Sequence, residues 1–437
     1  MVVTNPETPS RARSGLGPLT RRIHFYAGMF IGPFLLIAAL SGALYAVAPT
    51  VEAVMYKDVL TVEPTATQVP LRDQVQAAQA EHPEMPVAQI WPASAPGETT
   101  RVLLEDPALD EPRLLSVFVD PGTAAVVGEQ PSYSGLGELP LRHWISGLHK
   151  DLNLGPAGTL YSELAASWMW FIACGGAYLW WKRTRTPRRA ATGLPRARRT
   201  LNLHGVAGTW LLIAMLGLSA TGITWSAVAG QNVSHTVEAL GWKADPIATT
   251  VQQDGEPLTP RDVAAQADTV WRVAHEEGLT GSLRLFPPED SATAWQASER
   301  WVPYRTSSDA ISVDGTSGEV VDRLPFAELP LFSKLTAWGI YLHMGIMFGL
   351  PLQLALLAAA VGIAALVVTG YLMWWRRRPT VGAIAGIPGP TTALSGRDWA
   401  VIACLLATVG TFLPLFGVSL AVMVLVDRAL AYRSSNR

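Results

Sequence analysis

The sequence is poor in cysteine and in charge, and it lacks a nucleotide-binding fingerprint. Of its 437 residues only Cys174 and Cys404 are cysteines, and both fall inside apolar runs. That excludes a disulfide framework, and no Cys-x-x-Cys-His stretch exists to attach haem covalently. Charged residues make up 16% of the chain against 49% hydrophobic ones, a balance too apolar for an ordinary soluble enzyme of this length. No Gly-x-Gly-x-x-Gly follows a strand-like run, so the chain offers no obvious flavin or nicotinamide site of its own. The net charge of -2 divides between basic and acidic stretches, which leaves no nucleic-acid footprint.

What the chain does have is long apolar runs. They cover Phe25 to Ala48, Leu160 to Trp181, Leu211 to Val228 and Leu350 to Trp375, each long enough to cross roughly 30 Å of hydrocarbon. A fifth runs from Trp399 to Val426 with Pro414 in its middle, compatible with one kinked span or a short hairpin. Basic residues cluster before the first run (Arg11, Arg13, Arg21, Arg22), after the second (Lys182 through Arg199) and after the fourth (Arg376, Arg377, Arg378). Those ends read as cytoplasmic, and the long acidic connections between runs face outward. The first run follows a polar stretch and lacks a small-residue cleavage site, so it reads as an uncleaved anchor. The expected location is the bacterial inner membrane, multi-pass, with a cytoplasmic N-terminus.

The expected division is a cytoplasmic tail over 1–22, a first span over 23–49, an outer domain over 50–158 and a second span over 159–182. A basic cytoplasmic loop over 183–200, a third span over 201–229 and a second outer domain over 230–335 follow. An outer histidine segment with the fourth span occupies 336–376, then a cytoplasmic loop 377–397, a C-terminal span or hairpin 398–428 and a tail 429–437.

The chain also repeats itself around four histidines. His24 precedes Gly28 by four residues and Ser41-Gly42 by seventeen, and His204 precedes Gly208 and Thr221-Gly222 by the same offsets. His149 precedes Gly155, Gly176 and Trp180-Trp181 at offsets that His343 repeats with Gly349, Gly370 and Trp374-Trp375. Asp120-Pro121-Gly122 and Asp314-Gly315-Thr316 lie equally far before His149 and His343, which carries the register into the outer domains. A duplicated unit with histidines at its membrane boundaries suggests paired ligands, because a pseudo-twofold brings equivalent residues face to face. The first outer segment reads as a helix over Leu71 to Glu81 and strands over Val87 to Trp91, Thr100 to Leu104, Leu114 to Val119 and Ala125 to Val127. The second repeats this with a helix near Pro260 to Glu277 and strands over Leu283 to Phe286, Thr293 to Ala297, Ala310 to Val313 and Glu319 to Val321.

On Arg22-Ile23-His24 with Gly28, Leu148-His149-Lys150-Asp151-Leu152, Leu342-His343-Met344-Gly345 and the two Trp-Trp-basic ends, residues 20 to 380 resemble the PepSY-associated transmembrane proteins. The resemblance implies an internally duplicated four-helix transmembrane core plus a C-terminal hydrophobic segment, with two extracytoplasmic α+β PepSY-like domains. That family includes inner-membrane ferric-siderophore reductases holding two b-type haems. It therefore implies that His24 with His204, and His149 with His343, are axial ligands of haem iron. Gly28, Gly208, Gly42 and Gly222 would leave room for the flat macrocycles. An offset of four places Gly28 one turn below His24, and Gly42 returns to that helix face about 27 Å along. Gly176 and Gly370 fall near the inner pair.

The expected activity is transmembrane electron transfer to ferric iron or a ferric siderophore outside, with quinol or a cytoplasmic flavoprotein as donor and no catalytic side chain assigned. Ferrous iron is held more weakly by hard oxygen ligands, so reduction releases the metal. Two other readings stay open: a non-enzymatic PepSY-domain sensor binding peptide or protein, and a siderophore or metal permease. Boundary histidines can also serve headgroups or loop carbonyls, and the glycines can serve helix packing. His143 is a reserve ligand or substrate contact; His82, His235 and His275 read as surface residues. Glu163 passes protons or sits at the interface, and the tryptophan pairs read as interfacial anchors.

Overall fold

The computed structural model describes residues 16–110, 112–133, 135–185, 195–377 and 396–435. Arg11, Arg13, much of the expected loops at 183–200 and 377–397, and the chain's last two residues lie outside them. The chain divides into two compact units. One comprises the N-terminal part through Leu40, Leu154–His235 and everything from Ala359; the other comprises Ser41–Asn153 and Thr236–Ala358.

The first unit is helical. Helix α1 (Leu16–Phe30) leads into α2 (Gly32–Met55), with the break at Ile31. Helices α6 (Pro156–Arg185), α7 (Pro195–Trp210) and α8 (Leu212–Thr224) follow, and α7 and α8 break at Leu211 with a 58° bend. Ile31 and Leu211 each lie seven residues after a repeat histidine, so the duplication extends to the position of the break. At both, one backbone hydrogen bond enters and one leaves: Ile31 N–H to Ala27 and Leu35 N–H to Ile31, Leu211 N–H to Ala207 and Met215 N–H to Leu211. Pro33 follows the first break and lacks the amide that would continue the ladder; nothing equivalent in sequence marks the second.

By length and composition Gly32–Met55 and Gly349–Arg376 can each cross a membrane, and the bent α7–α8 pair makes a third span if taken as one. The protein is therefore a membrane protein with at least two apolar helices. The expected second span, α6, has the length but not the hydropathy, because Glu163 and its Trp, Tyr and Ser residues dilute the apolar run. The C-terminal segment is two helices, α13 (Gly396–Phe412) and α14 (Pro414–Ser435). Gly410 and Gly417 meet backbone to backbone across the break at Leu413, a hairpin-like approach no side chain would permit. α14 belongs to the packed core: Phe416 lies 4.6 Å from Trp168 between ring centroids, and the Trp168 indole N–H donates to Ser419 Oγ at 2.8 Å.

The second unit carries one eight-stranded sheet in the order β4-β3-β2-β1-β5-β6-β7-β8. The strands are β1 (Val87–Trp91), β2 (Thr100–Leu104), β3 (Arg113–Val119), β4 (Val126–Tyr133), β5 (Leu283–Phe286), β6 (Trp295–Glu299), β7 (Ala310–Val313) and β8 (Val320–Leu324). Each half is an antiparallel meander, and the halves join where Ile90 of β1 pairs with Leu285 of β5. The two outer segments thus share a sheet, and β4 runs well past the short strand expected at Ala125 to Val127. α4 (Leu71–Glu81) and α10 (Pro260–Glu276) cover one face, burying Val75, Ile90, Val102, Ala267, Val270, Leu285 and Ala297. Each large apolar side chain there contributes ~2 kcal/mol of burial.

Both helix starts are specified chemically. Thr259 and Asp262 form a reciprocal capping box at α10, followed by Pro260 at its first position. α4 has no cap of its own, and Asp268 of α10 accepts the Leu71 amide at 2.7 Å instead. The two Asp turns also correspond. Asp120 accepts the Gly122 amide at 2.8 Å and Asp314 accepts the Thr316 amide at 2.9 Å. The left-handed position of each turn is Ala124 (φ 57°) in one copy and Gly318 (φ 75°) in the other.

Candidate functional site

His24 lies on α1 and His204 on α7, both in the helical unit, and the two are within electrostatic reach of each other. Each is backed by a glycine of the neighbouring long helix. A Cβ at Gly176 of α6 would stand 3.1 Å from the His24 imidazole, and one at Gly370 of α12 (Gly349–Arg377) 3.9 Å from the His204 imidazole. His204 Nδ1 is 3.0 Å from the Thr369 hydroxyl. His24 Nδ1 is buried with no hydrogen-bond partner. An orphaned imidazole nitrogen in apolar surroundings is costly, and its presence calls for a further group at the site. Gly28 has nothing within 4 Å of where a side chain would begin, and Gly208 only Leu366 at 3.9 Å.

His149 and His343 meet in the second unit. Neither is on a long apolar helix: His149 lies on the short α5 (Pro140–Asp151) and His343 ends α11 (Leu331–His343). Their ring centroids are 6.2 Å apart with planes inclined at 54°. A metal held between two imidazole nitrogens at roughly 2 Å from each would set centroids about 6 Å apart, so the spacing fits a bis-histidine iron. Ser41 Oγ lies 3.0 Å from His149 Nδ1, and Gly42 leaves room for the imidazole, whose Cε1 a Cβ would approach to 3.1 Å. The repeat partner Gly222 does something else: it packs against Ala166 of α6 in the helical unit, a contact between helices. Among the described residues no group of three or more His, Cys, Asp or Glu could hold a metal ion.

Around His149 stands a charged network that spacing did not reveal. The Tyr45 ring stacks on His149 at 6.4 Å and its hydroxyl donates to Glu138 at 2.5 Å. Arg142, 6% exposed, lies 3.6 Å from Glu138 and 3.7 Å from Glu52, and Glu52 accepts the Leu139 amide at 2.7 Å. These groups come from α2, α5 and the loop between β4 and α5, so only the fold joins them.

Of the remaining residues, His143 stacks on Tyr133 at 5.9 Å, and burial lowers its pKa. His82 pairs with Glu129 at 2.7 Å, and His275 bonds the Trp271 carbonyl at 2.8 Å. Glu163 is tied into the fold by backbone amides. It is 1% exposed, and its oxygens accept the Val228 and Ala229 amides at 2.9 and 3.1 Å, capping α9 (Ala229–Ala239). Trp180 packs on Gly205, and Trp181 and Trp375 are exposed.

No curated protein matches the chain. The family model described as the PepSY-associated TM region matches residues 21–377, from just before His24 to the basic end of α12, and so takes in all four histidines. The match spans most of the chain, which belongs to the PepSY-associated transmembrane family.

Proposed function

We propose that this chain is a di-haem b electron-transfer protein of the bacterial inner membrane that reduces ferric iron or a ferric siderophore on the outer face. The observation that carries the reading is the His149–His343 pair, two imidazoles at 6.2 Å held from different helices, one anchored by Ser41 and seated against Gly42. The orphaned His24 nitrogen beside Gly176, with His204 anchored by Thr369, supports a second such pair.

When bound, the haems supply one-electron chemistry at potentials set by ligands, hydrogen bonds and burial. The chain's own residues orient and insulate. Ser41 and Thr369 hold the imidazoles of His149 and His204 at Nδ1, which would leave Nε2 of each to hold the iron. The apolar cluster of Ile31, Leu35, Trp168, Met169 and Phe416 keeps water from the helical unit. The Tyr45–Glu138–Arg142–Glu52 network beside His149 sets the local field at the outer pair. A quinol or cytoplasmic flavoprotein delivers the electrons.

A dithionite-reduced minus oxidised spectrum of the purified protein, with haem stoichiometry, tests this. Two b-type haems are expected, one lost or perturbed in His24→Ala or His204→Ala and the other in His149→Ala or His343→Ala. A folded, colourless protein after haem supply sinks the reading and favours a sensor of peptide or protein.

A further inference from the structure

The centre of the sheet carries three arginines on one tryptophan. Trp91 of β1 pairs with Arg101 of β2, and Arg101 with Phe118 of β3. Since Ile90 pairs with Leu285, Arg284 of β5 lies across from Trp91 on its other side. Cross-strand partners project from the same face. Ile90, Val102 and Leu285 face the core under α4 and α10, so Phe118, Arg101, Trp91 and Arg284 form a row on the opposite face. Arg300, just beyond β6, extends the ladder through its amide to Ser282 at 2.7 Å. The three guanidinium carbons lie 4.2 Å (Arg300), 5.4 Å (Arg101) and 5.8 Å (Arg284) from the Trp91 ring.

This positive charge has no counter-charge in contact. Among the described residues no carboxylate lies within ion-pair distance of any of the three. Glu52 and Glu98 act on Arg101, and Glu98 on Arg300, only at a distance; Glu52 is engaged by Arg142 and the Leu139 amide, and the Glu98 carboxylate by the Ser94 hydroxyl at 2.7 Å. Arg101 and Arg284 each donate to a loop carbonyl, of Gly137 at 3.2 Å and Gly135 at 2.6 Å, yet Arg284 Nε is buried without a partner. Burial, and then repulsion among the three, pulls Arg300 down to about 9; burial pulls Arg101 to about 10. Phe118 under Arg101 at 5.2 Å and Phe286 under Arg284 at 5.8 Å add to Trp91, but rings worth ~1–2 kcal/mol per cation soften three charges without neutralising them, and Arg300 has Trp91 alone. Uncompensated half-buried arginines with donors to spare are the chemistry of oxyanion recognition. The cluster also adjoins the outer histidine pair in sequence and space: Tyr341, two residues before His343, lies beside Arg284 and stacks at 4.4 Å on Trp301, the neighbour of Arg300.

We infer that Arg101, Arg284 and Arg300 on Trp91 form a binding site for a carboxylate or similar oxyanion. The anion comes either from a negatively charged ferric chelate arriving outside or from the propionates of a haem held by His149 and His343. Both sources rest on the reductase reading; the anion site itself does not.

The test uses the purified full chain and redox-inert gallium(III) complexes, anionic gallium citrate and neutral gallium tris-maltolate. Titration calorimetry on wild type, Arg300→Gln, Arg101→Gln and Arg300→Met runs alongside haem content and redox titration of the same samples. The expected result is gallium citrate binding that weakens about tenfold or more in Arg300→Gln, with maltolate binding and haem content unchanged. Unchanged citrate binding with a shifted outer-haem potential or lost haem supports the site with the propionates as its anion. Citrate binding lost in the variants of a haem-free wild type keeps the anion site and removes the reductase reading. Arg300→Met should also raise the melting temperature, because it removes an uncompensated charge. If gallium citrate binding, haem content and potential all stay as in wild type in Arg300→Gln and Arg101→Gln, the inference is overturned whatever the melting temperature of Arg300→Met.

Discussion

The Thr369 hydroxyl lies against Nδ1 of His204. The two atoms are 3.0 Å apart, and the hydroxyl's own proton goes back to the Ala365 carbonyl at 2.8 Å, so the threonine oxygen has only lone pairs to offer. That arrangement favours the His204 tautomer with its proton on Nδ1 and an unprotonated Nε2, the form that ligates a metal. A side-chain hydroxyl committed to its own helix thus sets the chemistry of an imidazole on another helix.

Thr369→Val keeps the shape and removes that acceptor. It should weaken haem retention at the inner pair by about tenfold or more, or shift the potential of that haem, and leave the other untouched. Ser41→Ala should do the same at the outer pair alone. Redox titrations followed optically decide the matter; two variants that perturb the same haem would contradict the pairing.

Glu163 makes a separable prediction. Its carboxylate satisfies two amides at the start of α9 from a buried position, so Glu163→Leu should cost about 2 kcal/mol of stability. Glu163→Gln, which retains an acceptor oxygen, should cost less. Thermal melts in detergent measure both. Neither should alter electron-transfer rate per folded molecule, and a rate loss in a stable Glu163→Gln would assign Glu163 a proton-relay role.

The repeat offsets, the four histidines and most strands were legible in the sequence, because period and alternation are local properties. The C-terminal hairpin was left open because Pro414 permits either a kink or a turn; the close contact of Gly410 with Gly417 is tertiary. The anchors Ser41 and Thr369 were hidden for a similar reason, since each reaches a histidine on another helix. The arginine row depended on strand register, above all on Ile90 meeting Leu285 across almost two hundred residues. Gly222 lies against Ala166, a contact between helices that the repeat spacing does not show.

His143 gives a pH dependence with a definite sign. Burial lowers its pKa from 6.5, with Arg113 and Lys150 acting the same way and Glu138 and Asp151 opposing. Between the lowered value and 6.5 the unfolded chain binds more protons than the folded one, so stability should fall as pH drops through that window. Above 6.5 the contribution is fully present. His143→Phe keeps a ring to stack on Tyr133 and should flatten this part of the profile; melting temperatures from about pH 5 to 8 for both proteins, compared as a difference, check it.

The glycines offer the sharpest separation of cofactor room from helix packing. At Gly42 and Gly176 a Cβ already stands 3.1 Å from an imidazole carbon, so Gly42→Val and Gly176→Val should displace His149 and His24 and each remove one haem. At Gly28 no atom lies within 4 Å of a new Cβ, so Gly28→Ala should fold and keep both haems. Gly28→Leu fills the same space with a branched side chain. If that space is where the macrocycle lies, Gly28→Leu should lose the inner haem while its melting temperature without haem stays near wild type. Full haem content in a folded Gly28→Leu would assign Gly28 to packing and move the inner macrocycle to another face of α1.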